Sequence, residues 1–75
     1  MITETTKLIS NNLKQARIKA PFTQEEVSKI LNIKRQTLSN YETGKREADY
    51  KTLKELINLY DISADWLFNT NPKRK

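Results

Sequence analysis

Cysteine and histidine are both absent from this 75-residue sequence, which contains a single glycine and two prolines. Without cysteine the chain forms neither a disulfide nor a thiolate metal site, which suits a reducing, cytoplasmic location. Without histidine as well, few side chains remain for metal-assisted or nucleophilic catalysis, and no nucleophile–base pair or phosphate-binding loop is visible. We therefore expect no enzymatic activity, no cofactor and no bound metal.

Long apolar runs are also lacking. No stretch approaches the roughly 18 apolar residues of a membrane span, and the N-terminus has no apolar segment typical of a secretory signal peptide. The length allows one small domain with a modest core, and the scarcity of glycine and proline is typical of a helical unit. We predict a single all-α domain over residues 1–75, with its core at about 5–69, a mobile basic tail at 70–75 and no membrane association.

Positive charge is in excess. Fourteen Lys and Arg residues outnumber nine Asp and Glu residues, which gives a net charge of +5. Such a balance favours polyanionic partners, among them nucleic acids. Charge alone does not identify a partner, so the assignment depends on motifs.

The segment 23–46 has the pattern of two short helices joined by a tight turn. Thr23 followed by Glu26 forms a capping box at the start of the first of these helices. Asn32 follows that helix and tolerates the left-handed backbone conformation of a sharp turn. The apolar residues on one face of this helix are Val27, Ile30 and Leu31.

The second helix of this segment has two different faces. Leu38 and Tyr41 are spaced to point inward, and Gly44 stands at the helix stop. The outward side carries Arg35, Gln36, Ser39 and Asn40. This pattern predicts a helix-turn-helix whose second helix is suited to the DNA major groove.

Three further helices complete the predicted five-helix fold. The first covers about Thr5 to Lys19, the fourth begins after Asp49 and is broken at Asp61, and a short fifth begins at Ser63. The predicted core consists of Ile9, Leu13, Val27, Leu31, Leu38, Leu53, Leu56 and Leu67, with Ile57 and Tyr60 on the inward stripe of the fourth helix.

From about Ile9 to Leu67 the chain resembles the phage Cro and repressor family of helix-turn-helix proteins, often called the XRE type. The matching residues are Gln24, Thr37, Leu38, Ser39, Tyr41, Glu42, Gly44, Asp49, Thr52, Leu53, Ser63, Asp65, Trp66 and Leu67. The departures are Asn32 for the usual turn Gly, Ser28 for a small Ala, Ala48 for a common Pro and Lys34 for the usual Ser or Thr cap. The resemblance implies a compact, five-helix, repressor-like DNA-binding domain.

The resemblance also implies which residues contact double-stranded DNA. The base-contacting residues would be Arg35, Gln36, Ser39 and Asn40, since Arg suits guanine and the amides suit adenine. The backbone-contacting residues would be Gln24, Lys34, Thr37, Thr43, Lys45 and Arg46. In relatives the residue matching Gln24 contacts the DNA backbone. It can also brace a side chain of the second helix of the motif, which is called the recognition helix. The alternative is that these positions form a merely solvated polar surface.

Two further pairs of residues carry separate hypotheses. The resemblance implies an ion pair between Arg17 and Glu42 that ties the first helix to the recognition helix, and a phosphate contact by Arg17 is the alternative. Trp66 and Phe68 are near neighbours in a short helix, so at most one of them can face the core. The exposed one would belong to a homodimer surface.

Taken together, these residues favour a sequence-specific transcription regulator, a repressor that binds a two-fold symmetric operator as a dimer. A restriction-modification controller and a phage lysis–lysogeny switch protein would share the pattern. The alternative is an antitoxin or adaptor of the same fold whose main partner is an as yet unknown protein. The polar row on the recognition helix argues against that alternative, and against a nonspecific architectural DNA binder.

Overall fold

The computed structural model describes residues 3–69, and within that range every regular element is a helix and no strand is present. The five helices are α1 (Glu4–Lys19), α2 (Gln24–Leu31), α3 (Arg35–Thr43), α4 (Tyr50–Tyr60) and α5 (Ala64–Phe68). The predicted all-α, five-helix architecture is confirmed. The predicted basic tail at 70–75 lies outside the described residues.

The helix starts follow from local side-chain chemistry. Thr23, Asp49 and Ser63 each accept a hydrogen bond from a backbone amide three residues further on, as predicted. Thr23 and Glu26 form the full capping box, with distances of 2.8 Å and 3.1 Å. Thr3 caps α1 in the same way, and this cap was missed, so α1 begins slightly before the predicted Thr5. Four of the five described helices therefore begin at a side-chain cap.

The helix ends rely on residues that tolerate a positive φ angle. Asn32 has φ 57°, Gly44 has φ 80°, Asp61 has φ 56° and Asn69 has φ 57°. These short polar residues and glycine adopt the left-handed conformation at low cost. The predicted stops at Asn32, Gly44 and Asp61 are confirmed, and they produce the sharp turns between consecutive helices.

The core lies where α1 packs against α3, α4 and α5, while α2 packs against α3. Its buried members are Leu13, Ala16, Val27, Leu38, Tyr41, Leu53, Leu56, Tyr60 and Leu67. Within residues 3–69 no helix has the length and hydropathy needed to cross a bilayer.

Three apolar predictions need correction. Ile9 and Leu31 are half-buried at the edge of the core instead of inside it. The sequence pattern predicts Ile30 on the inward face of α2, yet 56% of Ile30 is exposed. Ile30 and Leu31 lie on opposite sides of Val27 around the helix axis, and only the side of Leu31 is packed against the core. A helix of 8 residues that packs mainly against α3 buries a narrower stripe than its sequence pattern indicates.

Candidate nucleic-acid interface

The turn between α2 and α3 sets the direction of the second motif helix. Asn32 turns the backbone, and the amide of Ile33 donates to the carbonyl oxygen of Ser28 at 3.0 Å. Lys34 occupies the N-cap position of α3 and makes no side-chain capping hydrogen bond. Because Leu38 and Tyr41 are buried on one side of α3, the opposite side must face outward.

The four predicted base-contacting residues lie on that outward side. Arg35 and Gln36 are exposed, and Ser39 and Asn40 are half-buried. The Gln36 amide nitrogen Nε2 donates to Asn40 Oδ1 at 3.1 Å, one helical turn away. This bond orients Asn40 and leaves its Nδ2 hydrogens and one Oδ1 lone pair, the donor–acceptor pair that an adenine edge requires.

Cationic side chains flank this polar row at both ends of α3. Lys34 precedes it, Lys45 and Arg46 follow it, and all three are exposed. The ion pairs found within residues 3–69 involve none of them. The amides of Lys45 and Arg46 donate to the Asn40 carbonyl oxygen at 3.0 Å and 3.3 Å, which holds the start of the loop against α3.

The two threonines predicted to contact the DNA backbone differ in exposure. Thr43 is exposed, and its hydroxyl donates to the Asn40 carbonyl oxygen at 3.4 Å. Thr37 is half-buried. Both remain near the polar row, Thr43 at its loop end and Thr37 at its flank.

A buried charge network lies behind the row. Arg17 Nε donates to Glu42 Oε2 at 2.7 Å, and Arg17 Nη2 donates to Glu42 Oε1 at 3.2 Å. Arg17 Nη1 also donates to the Phe22 carbonyl oxygen at 2.8 Å. The two side chains are 12% and 1% exposed, so Arg17 is poorly placed to reach a phosphate. The geometry favours the structural role for this pair.

Gln24 joins the same network. Its Nε2 donates to Glu42 Oε1 at 3.0 Å, which braces the recognition helix from the start of α2. An amide NH₂ group has a second hydrogen. Gln24 is half-buried, so bracing Glu42 and contacting a phosphate are compatible roles for one side chain.

Tyr60 lies close to this network but has no hydrogen-bonding role in it. Its hydroxyl is buried and has no hydrogen-bond partner within the described residues. Burial raises the pKa of Tyr60 well above its ordinary value, and the nearby Glu42 charge raises it further while Arg17 lowers it. Tyr60 therefore stays neutral, and its ring packs against Phe22 with centroids 6.3 Å apart.

Three contacts made by α1 were not anticipated from the sequence. Thr6 Oγ1 donates to Glu47 Oε2 at 2.6 Å, and Asn12 Nδ2 donates to the Leu67 carbonyl oxygen at 3.1 Å. Ser10 lies beneath Gly44, where an added Cβ would stand 3.5 Å from the Ser10 hydroxyl. The available signal was periodicity, because Thr6 and Ser10 continue the inward stripe of α1 that includes Leu13.

The two aromatic residues of α5 are placed differently. Trp66 is 46% exposed, whereas Phe68 is half-buried and packs against the core. Leu67 between them is fully buried and holds α5 to the rest of the domain. Trp66 is therefore the stronger candidate for a surface that a second copy would cover.

Comparison with known proteins agrees with this geometry. A helix-turn-helix family model matches residues 13–67. The Bacillus subtilis HTH-type transcriptional regulator ImmR is 43% identical over 67 residues, which cover 89% of this chain and 53% of that protein. An uncharacterized HTH-type transcriptional regulator of the same organism, YqaE, is 38% identical over 68 residues, which cover 91% of this chain and 59% of YqaE. The chain thus spans little more than half the length of these two relatives.

A solved structure is also similar. A mutant of the restriction-modification controller protein C.Esp1396I superposes with a TM-score of 0.76 over 92% of this chain and 87% of that one. Sequence identity there is 23%, so the likeness concerns the fold alone. The family match and the identity to the two regulators identify the chain directly. It belongs to the XRE-type helix-turn-helix family of DNA-binding transcription regulators.

Proposed function

We propose that this chain binds a two-fold symmetric DNA operator as a dimer, with α3 in the major groove, and represses transcription by occupying a promoter. The observation that carries the proposal is the outward polar row of α3, flanked at both ends by exposed cations that form no ion pair within residues 3–69. An arrangement of this kind combines base-edge donors and acceptors with charges for the phosphates on either side.

Base reading is assigned to the polar row. We expect Arg35 to bond guanine, and we expect Asn40, which Gln36 orients, to bond adenine. Ser39 lies between them on the same face and is suited to a base edge or a phosphate.

Phosphate binding is assigned to the two ends of the motif. Lys34 lies at the start of α3, Lys45 and Arg46 follow its end, and Gln24 opens α2, where the helix dipole favours an anion. Thr37 and Thr43 supply hydroxyls at the flank. Such contacts position the protein and make its affinity depend on salt, without carrying sequence information.

Dimerisation is assigned to the face that carries Trp66. Two recognition helices read half-sites one DNA turn apart only if they are held about 34 Å from each other. An exposed tryptophan on a helix anchored by a buried Leu67 provides a rigid, apolar contact for a second copy. A dimer formed there would present α3 twice.

Selection of bound duplexes from a random-sequence library at about 150 mM salt, where phosphate binding is weakened, tests the proposal. Arg35→Ala and Asn40→Ala are expected to lose or alter the enriched sequence. Lys54→Ala, which removes an exposed charge from α4, serves as the control and should leave the sequence unchanged.

The oligomeric part of the proposal has its own readout. An enriched inverted repeat, together with a dimer that Trp66→Ala converts to monomer in analytical ultracentrifugation, is the expected result. Binding without sequence enrichment would instead indicate an architectural protein. No binding at all would direct attention to a protein partner.

A further inference from the structure

We propose that Thr6 and Glu47 are positioning residues that hold the loop between α3 and α4 in the conformation in which Lys45 and Arg46 face DNA. This inference deepens the proposed function and rests on it for the role of the loop. The contact between them joins residues 41 positions apart and has an oxygen–oxygen distance of 2.6 Å. Such a short distance is typical of a hydroxyl that donates to a carboxylate.

The direction of the hydrogen bonds can be derived from the donors available. A threonine hydroxyl has one hydrogen, and an ionised carboxylate only accepts. Thr6 therefore donates its hydroxyl hydrogen to Glu47. In the 3.2 Å hydrogen bond between the Thr3 and Thr6 hydroxyls, Thr3 must be the donor. Thr3 in turn accepts from the Thr6 amide at 3.1 Å as the cap of α1. The cap and the loop contact thus form one continuous chain of hydrogen bonds.

The donor of this contact is buried, although the acceptor Glu47 is exposed, which distinguishes it from a bond between two exposed side chains. Thr6 is 5% exposed and Ser10, one turn later on the same face, is also 5% exposed. Ser10 packs beneath Gly44, at the point where α3 ends and the loop begins. Together with Arg17, which holds Glu42, α1 contacts the end of α3, the turn and the loop in succession. A rigid helix thereby fixes the position of the loop relative to the recognition helix.

The charge of Glu47 gives the contact a second consequence. Glu47 directly follows Lys45 and Arg46, and a carboxylate there would repel phosphates or neutralise those cations. The bond to Thr6 holds the Glu47 carboxylate on the α1 side. Lys45 and Arg46 are then left without an acidic partner within residues 3–69.

The test compares Thr6→Val, which removes the hydroxyl but keeps the side-chain shape, with Thr6→Ser, which keeps the hydroxyl. Thr5→Val is the matched control, because Thr5 is the exposed neighbour on the same helix turn. Backbone ¹⁵N relaxation of the free protein measures the order of amides 45–47, and DNA titration with the selected duplex measures affinity. Thr6→Val should loosen these amides and weaken binding about two- to tenfold, the factor expected from one net hydrogen bond. Thr6→Ser and Thr5→Val should do neither.

The relaxation measurement separates this inference from the proposed function. If amides 45–47 are as ordered in Thr6→Val as in the native chain, the positioning role is overturned whether or not DNA binds. Looser amides with unchanged affinity would overturn it as well. A native chain that binds no DNA would refute the proposed function, and the relaxation data would still decide whether Thr6 positions the loop. If Thr6→Val does not fold, Glu47→Ala, at an exposed position, repeats the relaxation measurement, and only the order of amides 45–47 is compared because this variant also removes a charge beside Lys45 and Arg46.

Discussion

Arg17 and Glu42, 25 residues apart in the chain, meet in a two-pronged ion pair whose shorter distance is 2.7 Å. The carboxylate also accepts from Gln24 at 3.0 Å, and the guanidinium also donates to the Phe22 carbonyl oxygen at 2.8 Å. Every nitrogen of the guanidinium and both carboxylate oxygens thus have a partner. One buried carboxylate therefore connects α1, the start of α2 and the end of α3.

Breaking this pair should destabilise the fold strongly, because each single substitution strands the other charge. Arg17→Met and Glu42→Leu should each lower the free energy of unfolding by about 3–5 kcal/mol, and the double variant by clearly less than their sum. Urea denaturation of the four proteins measures this coupling. The exposed pair of Lys51 and Glu55, 3.6 Å apart, is the control and should show coupling of about 0.5 kcal/mol or less. Additive losses at Arg17 and Glu42 would show that the two charges do not stabilise each other.

Lys34 occupies a helix start that it does not cap, so stability and DNA binding should respond in opposite directions to its replacement. Lys34→Ser supplies a capping hydroxyl and should raise the free energy of unfolding by roughly 1 kcal/mol. It should also reduce the salt dependence of DNA binding by about one phosphate contact. Lys34→Ala is the control, since it removes the charge without adding a cap. Equal stability of the Ser and Ala variants would contradict the role of the missing cap.

Tyr60 has a buried hydroxyl without a hydrogen-bond partner in residues 3–69, and removing that hydroxyl should not weaken the fold. A buried unsatisfied polar group costs about 1–3 kcal/mol, so Tyr60→Phe should match or exceed the native stability. Thermal and urea unfolding measure the effect. Tyr50→Phe, at a position that is 91% exposed, should change stability by less than about 0.5 kcal/mol. A clear loss of stability in Tyr60→Phe would mean that the hydroxyl makes a favourable bond after all.

Asp49 should contribute a part of the acid sensitivity of the fold. Its carboxylate accepts from the Thr52 amide at 3.0 Å at the start of α4, and hydrogen bonding to the Thr52 side chain and then to its amide holds the Asp49 pKa below its ordinary value of 3.8. Because the folded state binds the proton less readily, the stabilisation is present above that value and is lost as the pH falls below it. Asp49→Asn keeps a capping oxygen but cannot titrate. As the pH is lowered from about 6 to about 2, the free energy of unfolding should therefore fall less steeply for Asp49→Asn than for the native chain. Identical curves for the two proteins would exclude this contribution.

Most of the helix-turn-helix could be predicted from the sequence because its signals are local. Thr23 caps α2 through a contact only three residues away, and Asn32 and Gly44 end their helices through their own backbone conformation. The outward placement of Arg35 and Asn40 follows from helical periodicity once Leu38 and Tyr41 turn inward. These features depend on neighbours within about one or two turns of chain, so the amino-acid pattern alone determines them.

Only the tertiary structure determined the features that depend on contacts between distant parts of the chain. The exposure of Ile30 depends on which side of α2 is packed, and the contacts of Glu42 with Gln24 and of Glu47 with Thr6 join distant segments. Helical periodicity places Thr6 on the inward stripe of α1, but it does not identify the partner of the Thr6 hydroxyl. Only the packing of α1 against the end of α3 removes its hydroxyl from water and so requires a partner for it.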